Sequence, residues 1–156
     1  MRSYTLPSGN VQISFSGGRT SAYMLHQILA VNGDLPDCCR VVFSNTGREM
    51  PETLDFVHEC GERWNVPITW VEDAERIDGQ PIFNVVSHNS ASRDGKPFSD
   101  LIVRKSAVPN QAQRFCTEHL KILPARRYLM SLGWKYWRNA LGIRADEAHR
   151  KKPSPD

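Results

Sequence analysis

Several features of membrane and exported proteins are missing from this sequence of 156 residues. No apolar run approaches the ~18 residues that would suggest a membrane span, and the N-terminal residues MRSYTLPSGN lack the apolar stretch of a signal peptide. Internal repeats and low-complexity segments are also absent. We therefore expect a cytoplasmic protein with no membrane partner. The length predicts one domain over residues 1–150, followed by a disordered tail over residues 151–156.

The sequence is also poor in metal-binding patterns. Its four cysteines, Cys38, Cys39, Cys60 and Cys116, form no C-x-x-C pair, and its five histidines have no metal-ligand spacing. We expect the cysteines to behave as small apolar residues, and we expect no iron–sulfur cluster. The formal net charge of +3 permits an anionic ligand without requiring nucleic acid.

Apolar runs that resemble strands alternate with helical patterns, which is typical of an α/β fold with a mainly parallel sheet. We predict strands at residues 11–15, 40–44 and 67–71, and a further strand within KYWRNALGI, residues 135–143. One predicted helix ends at Asn32-Gly33, and another begins at Pro51.

The remaining segments give weaker patterns. Residues 72–113 lack periodicity and predict a long loop or lid with a short helix near Phe83. Farther along, Thr117 is predicted to cap a short helix, and Pro124 to break it and begin a second helix that ends at Gly133.

The stretch VQISFSGGRTSAYML, residues 11–25, joins a predicted strand directly to a predicted helix. Helix N-termini bind anions because they carry unpaired N–H groups and the positive end of the helix dipole. Glycines let the backbone approach an oxyanion, while hydroxyl and guanidinium groups add donors. The turn therefore predicts a phosphate site formed by Ser16, Gly17, Gly18, Arg19, Thr20 and Ser21. The alternative is a tight turn in which Thr20 or Ser21 only caps the helix.

Two common phosphate motifs, G-x-x-x-x-G-K-[ST] and G-x-G-x-x-G, do not fit this spacing. The turn instead resembles the PP-loop, S-G-G-x-[DT]-S, of the N-type ATP pyrophosphatases, also called adenine nucleotide alpha hydrolases. Three later stretches, FSNTGREMPETLDFV, RFCTEHLKILP and GIRADEAHR, resemble in order the motifs of the branch related to phosphoadenosine phosphosulfate (PAPS) reductase. The resemblance implies a Rossmann-like open, mainly parallel sheet with helices on both faces. It also implies a bound adenine nucleotide, either ATP or PAPS.

The resemblance assigns roles to residues at the ends of the predicted strands, where ligands bind in open parallel sheets. Ser44 and Asn45 would lie near the adenine, with Thr46 and Gly47 beside them, and Gly142 would pass close to the nucleotide. Cations would neutralise the phosphates or sulfate, namely Lys121, Arg144 and Arg150. Mg²⁺ would be held by carboxylates, for which the motifs offer Glu49 and Glu147, whereas Asp146 is expected to pair with a nearby arginine.

Two positions depart from the family pattern. Thr20 stands where many members carry Asp, which bears on magnesium-dependent cleavage of ATP. PAPS reductases carry their nucleophilic cysteine on a C-terminal tail, whereas this sequence has no cysteine after Cys116. Cys116 lies near the cations Arg114 and Lys121, so it is the candidate nucleophile beside the catalytic cations Lys121 and Arg144. The alternative is a structural thiol.

Three functions stay open at this stage. The first is sulfur transfer of the PAPS reductase type, with a sulfonucleotide substrate and a thioredoxin-like reductant. The second is an ATP pyrophosphatase that adenylates an acceptor, for example a nucleic-acid base in thiolation. The third is a non-catalytic nucleotide-binding protein without the reductase cysteine tail. A homo-oligomer is compatible with all three.

Overall fold

A five-stranded sheet forms the centre of the protein in a computed structural model, which describes residues 4–74, 78, 82–110, 115–144 and 146. The strands are β1 (Val11–Ser14), β2 (Cys39–Ser44), β3 (Ile68–Asp73), β4 (Phe83–Val86) and β5 (Arg138–Leu141), in the spatial order β4-β3-β2-β1-β5. All neighbouring pairs are parallel except β3 and β4. The predicted α/β fold with a mainly parallel sheet is confirmed.

Helices lie on both faces of this sheet. They are α1 (Arg19–Asn32), α2 (Pro51–Arg63), α3 (Lys96–Lys105), α4 (Phe115–Thr117), a π-helical turn (Glu118–Ile122) and α5 (Leu123–Ser131). On β2, Val41 and Phe43 pack in the core that α1 and α2 cover, whereas Val42 packs with Leu129 of α5. β2 is therefore buried on both faces, as parallel strands normally are.

Two predicted helix boundaries are confirmed. α1 ends at Asn32, and the following Gly33 has φ of 73°, a left-handed conformation that glycine adopts without steric cost. α2 begins with Pro51, whose missing N–H costs nothing at the first helical position. No helix in the described part of the chain is long and apolar enough to cross a membrane.

The loop predicted over residues 72–113 is wrong in two places. Phe83 begins a strand rather than a short helix, and β4 pairs antiparallel with β3 at the sheet edge. α3 then occupies Lys96–Lys105, where only Pro97 and Leu101 are buried. Both elements escaped prediction because a strand of four residues and a helix with two buried positions give almost no periodic pattern. Gln113 and the predicted tail at 151–156 lie outside the described residues.

The helix break predicted at Pro124 is also wrong. The chain stays helical from Phe115 to Ser131, and Thr117 lies inside this run with no side-chain cap bond. The N–H of Leu123 donates to the carbonyl of Glu118, five residues back, which defines the π-helical turn. Pro124 follows directly and has no N–H that would need an acceptor, so the wider turn carries the chain past the proline without a break.

Candidate functional site

The carboxyl ends of β1, β2 and β5 meet at one edge of the sheet, with β1 in the middle. The chain runs from β1 to β2 on one side and arrives at β5 on the other, so the strand order reverses at β1. Ligands of open α/β sheets bind at such a reversal point. The predicted phosphate loop, residues 16–21, starts directly beyond β1 at this position.

The two glycines of the loop have different surroundings. Gly17 has φ of 75°, and a Cβ there would lie 2.6 Å from Cγ2 of Thr53 and 3.0 Å from Cγ2 of Val57. Gly18 has φ of −95°, and a Cβ there would meet nothing closer than the hydroxyl of Ser16 at 3.6 Å. Packing against α2 therefore explains Gly17, while the space beside Gly18 is open to a ligand.

Ser21 holds the loop in shape. Its buried hydroxyl donates to the carbonyl of Gly18 at 2.9 Å and accepts from the N–H of Ser16 at 3.2 Å. The hydroxyl of Ser16 lies 3.0 Å from the hydroxyl of Ser21. Because the single hydroxyl proton of Ser21 is bonded to Gly18, Ser16 must be the donor in this contact. Ser21 thus positions the loop, and its single proton is already used.

The first turn of α1 is open to an anion. Gly18 is the N-cap residue, no side chain caps the helix, and the first turn contains no acidic residue. Arg19 is exposed and Thr20 is half-buried at this helix start. The positive end of the helix dipole therefore faces a space that no carboxylate of this turn occupies.

Asn45 lies at the end of β2 but is fully buried and fully bonded. Its amide nitrogen donates to Oε1 of Glu72 at 2.6 Å and to the carbonyl of Ser92 at 2.9 Å, and its Oδ1 accepts from the N–H of Gly47. Glu72 also accepts from the N–H and hydroxyl of Ser92. The Asn45 side chain therefore ties β2, β3 and the segment before α3 together.

The neighbours of Asn45 are also engaged with protein groups. Thr46 is buried and donates to Oε1 of Glu49 at 3.1 Å, and Glu49 lies 3.5 Å from Nζ of Lys121. Gly47 has φ of 78°, and a Cβ there would lie 2.8 Å from Cδ of Pro97. Ser44 donates its proton to the carbonyl of Lys121 at 2.8 Å. These contacts hold the π-helical turn beside the end of β2.

The end of β5 packs against the phosphate loop. A Cβ on Gly142 would lie 3.1 Å from the backbone of Thr20 and Ser21, so close approach to α1 explains this glycine. Arg144 is exposed and forms a bidentate pair with Asp146, at 3.1 and 2.9 Å. The expected pairing of Asp146 with an arginine is thus present. Glu147 and Arg150 lie outside the described residues, as does Arg114.

Two cavities adjoin the loop, and each is lined by some of the predicted site residues. A cavity of about 360 Å³ on the α5 face is lined by Ser16, Ser44 and Lys121. A second, of about 570 Å³, lies beside α1 and the edge strand β5 and is lined by Thr20, Gly142 and Arg144. For convenience, we call these the floor cavity and the edge cavity. They meet at β5, where Asn139 and Leu141 line both.

The floor cavity contains a further cation, which no sequence motif indicates. Arg126 of α5 lines it together with Lys121, is exposed, and forms no ion pair with any described residue. Its neighbour Arg127 instead binds the buried carboxylate of Asp73 at 3.3 Å, which Arg104 also contacts. Adjacent arginines in the sequence thus have different roles, which only the helix orientation reveals.

The cysteines divide into buried and half-buried thiols. Burial, with a further contribution from Cys38, raises the pKa of Cys39 from 9.0 to about 11, and burial also raises the pKa of Cys60. Cys116 is half-buried in α4, four residues before Leu120, which belongs to the adjoining π-helical turn. Within the described residues, no three His, Cys, Asp or Glu side chains cluster as metal ligands would.

The family is decided by comparison with known sequences. A sequence-family model described as "Phosphoadenosine phosphosulfate reductase domain" matches residues 10–155. The chain belongs to this family. The match covers the whole sheet, whose Rossmann-like architecture is that of the family, and it includes the loop beyond β1.

Two relatives show how far this similarity extends. The chain is 36% identical over 149 residues to the uncharacterized nin region protein ORF290 of Escherichia phage lambda, covering 92% of this chain and 51% of that protein. It is 41% identical over 58 residues to a phosphoadenosine 5'-phosphosulfate reductase of Vibrio cholerae serotype O1, covering 37% of this chain and 21% of that enzyme. The chain thus spans about half the length of the first relative and less of the second.

Proposed function

We propose that the chain binds an adenine nucleotide with its phosphate groups at the loop of residues 16–21. The observation that carries this proposal is the contrast between the two glycines, because Gly17 has a packing reason and Gly18 has none. A glycine with open space at the uncapped start of α1 suits the close approach of a phosphate oxygen. Membership of the PAPS reductase domain family supports the same ligand.

We propose further that the nucleotide extends to both sides of the loop. Its base and sugar would lie in the floor cavity, below Lys121 and Arg126, and its distal anionic group would point toward Arg144 in the edge cavity. Arginine offers a planar fork that matches phosphate and sulfate oxygens, so Arg126 and Arg144 suit two separate anionic groups. Arg144 would exchange its bond with Asp146 for the ligand.

A sulfonucleotide is the ligand that these charges favour. Lys121 and Arg126 add positive charge to the floor cavity, and the nearby carboxylate of Glu49 is already bonded to Lys121 and Thr46. The relative named as a phosphoadenosine 5'-phosphosulfate reductase supports this class of substrate. Lys121 and Arg144 would then stabilise the leaving nucleotide and the sulfate group during transfer.

The proposed reaction begins with a thiolate, for which Cys116 is the candidate in this chain. The thiolate sulfur bonds to the sulfur of the sulfonucleotide, the bond from that sulfur to the phosphate oxygen breaks, and the nucleoside phosphate leaves with the electron pair. A dithiol of thioredoxin type then attacks the cysteine sulfur, becomes a disulfide, and releases sulfite. Cysteine is regenerated, and the two electrons come from the dithiol.

The second candidate is cleavage of ATP at the α-phosphate, with transfer of the adenylate to an acceptor such as a nucleic-acid base. Glu49 favours it, because this carboxylate lies 3.5 Å from Nζ of Lys121, which lines the floor cavity, and would serve as an oxygen ligand for Mg²⁺ if it exchanged partners. Mg²⁺ would supply charge for the pyrophosphate leaving group. A non-catalytic nucleotide-binding role is the remaining alternative, in which neither product forms.

Calorimetry with a panel of ligands separates these functions. We expect PAPS and adenosine 3',5'-bisphosphate to bind the purified protein more tightly than ATP does, with or without Mg²⁺. Incubation of the protein with PAPS and reduced thioredoxin should then release sulfite, and incubation with ATP and Mg²⁺ should release no pyrophosphate. Tighter binding of ATP together with pyrophosphate release would establish the second candidate instead. Binding without either product would leave the non-catalytic role.

A further inference from the structure

Four side chains that line the floor cavity are linked in a chain of hydrogen bonds. The indole nitrogen of Trp137 donates to Oε1 of Gln12 at 3.1 Å, and Nε2 of Gln12 donates to the hydroxyl of Ser14 at 3.1 Å. The hydroxyl of Ser14 in turn donates to Oδ1 of Asn139 at 2.7 Å. All four residues line the floor cavity, and the links join β1 to β5 and to the residue before it.

The direction of this chain is set by chemistry. Indole N–H can only donate, so Gln12 must accept with its carbonyl oxygen and must present its amide nitrogen to Ser14. Ser14 accepts that bond and uses its one proton on Asn139, so Asn139 accepts with Oδ1. The amide nitrogen of Asn139, which carries two protons, is therefore turned away from the chain. No residue in the described ranges accepts a hydrogen bond from it.

The surroundings of Asn139 suit a flat heteroaromatic ring. Apolar side chains of Ile122 and Leu141 line the same cavity and are more than half exposed, at 57% and 56%. Ser16 of the phosphate loop lines it as well. Two to four residues of strand separate Ser16 from Ser14 and Gln12, which is roughly 7–13 Å at the usual rise of a strand. A nucleotide with its phosphate at the loop reaches the floor over such a distance.

The residues first expected near the adenine have no donors left for a base. Asn45 is 0% exposed and spends both its amide nitrogen and its Oδ1 on protein groups. The proton of Ser44 is bonded to the carbonyl of Lys121. Asn139 therefore offers a neutral side-chain donor in the floor cavity that is oriented and still available.

We propose that Asn139 is a specificity-determining residue that donates a hydrogen bond to an acceptor nitrogen of the ligand's purine ring. Trp137, Gln12 and Ser14 are positioning residues, because together they fix which end of the Asn139 amide faces the ring. This inference rests on the proposed binding of an adenine nucleotide and names the group that reads its base. This chain of hydrogen bonds selects a ring edge that accepts a hydrogen bond and disfavours a ring edge that donates one.

The test compares adenosine monophosphate with its 1-deaza, 3-deaza and 7-deaza analogues, each of which lacks one acceptor nitrogen. Calorimetry with the wild-type protein should show one analogue binding about three- to tenfold more weakly, the loss expected for one neutral hydrogen bond. In Asn139→Asp, which keeps the shape but lacks the donor, that analogue and adenosine monophosphate should bind equally. The matched control is Asn89→Asp, the same change at an exposed turn residue, which should keep the wild-type difference.

The positioning role has its own variants. Ser14→Ala cuts the chain between Gln12 and Asn139, so the amide can turn either way and the difference between ligands should shrink. Ser14→Thr keeps the hydroxyl and should restore it. The proposal is overturned if wild type binds all four ligands equally, or if every deficit persists in Asn139→Asp. If the wild-type protein binds none of the four ligands, both this proposal and the proposed function are overturned. A titration with inorganic pyrophosphate then shows whether the loop binds an anion at all.

Discussion

Substitution of the two loop glycines should have different effects, with Gly17 affecting stability and Gly18 affecting nucleotide binding. In Gly17→Ala, the new Cβ would lie 2.6 Å from Cγ2 of Thr53, and the residue would have to hold φ of 75°. The left-handed conformation costs roughly 1–2 kcal/mol for a residue with a Cβ, and overpacking of this kind costs roughly 1–3 kcal/mol. A sum near 3 kcal/mol lowers the Tm of a domain of this size by about 6–12 °C.

Gly18→Val should act on the ligand rather than on the fold. Its φ of −95° suits any residue, and its Cβ would meet only the Ser16 hydroxyl, at 3.6 Å. Replacing glycine at an N-cap costs about 1 kcal/mol, which corresponds to a Tm decrease of about 2–4 °C. The side chain would, however, occupy the space where a phosphate oxygen approaches the backbone. Loss of one charge-assisted contact, about 1.5–3 kcal/mol, weakens nucleotide binding about ten- to a hundredfold.

Differential scanning fluorimetry and calorimetry measure both effects on the same two proteins. We expect the free energy of unfolding to fall strongly only in Gly17→Ala, and nucleotide affinity to fall strongly in Gly18→Val at nearly unchanged Tm. Nucleotide affinity that is unchanged in Gly18→Val would refute the phosphate-loop assignment. Equal Tm losses in both variants would show that the contrast in packing does not explain the two glycines.

Three further predictions concern the surrounding structure. Arg126→Ala should weaken nucleotide binding about ten- to a hundredfold at unchanged Tm. Arg127→Ala should instead lower the Tm, because it removes one partner of buried Asp73. The reverse pattern would contradict both roles. Burial raises the pKa of Cys39 from 9.0 to about 11, so the folded protein holds this proton more tightly, and stability measured by urea unfolding should fall as pH rises from 9.0 to about 11; Cys39→Ala should remove that part of the pH dependence. Amide exchange followed by mass spectrometry should be slow in α3, Lys96–Lys105, before any ligand is added; exchange as fast as in an unfolded peptide would support the predicted loop.

The sequence predicts the strand, turn and helix around residues 16–21 well because their determinants are adjacent. A buried strand, two glycines with three hydroxyl residues and an amphipathic helix follow one another within residues 11–25, and the observed β1, turn and α1 follow the same order. Local sequence also predicts the boundaries at Gly33 and Pro51, where one residue's backbone preference decides the outcome. Such features need no knowledge of distant contacts.

Features that depend on distant contacts could not be predicted in this way. Ser14 and Asn139 are 125 residues apart, and only the pairing of β1 with β5 brings their side chains together. Arg126 and Arg127 look alike in sequence, and the packing of α5 on the sheet decides which one meets Asp73. The burial of Asn45 likewise depends on Glu72 and Ser92, residues of other segments. These contacts assign roles that the residue types alone leave open.

The binding of a nucleotide phosphate at the loop is tested most directly by backbone amide chemical shifts. A ¹⁵N-labelled sample is titrated with adenosine 3',5'-bisphosphate, and the amides of Gly17, Gly18, Arg19 and Thr20 are compared with those of β4, Phe83–Val86, at the far edge of the sheet. We predict the largest saturable shifts in the four loop amides and none in β4. Saturable binding that leaves the loop amides unchanged, or no shifts at millimolar nucleotide, would contradict the assignment.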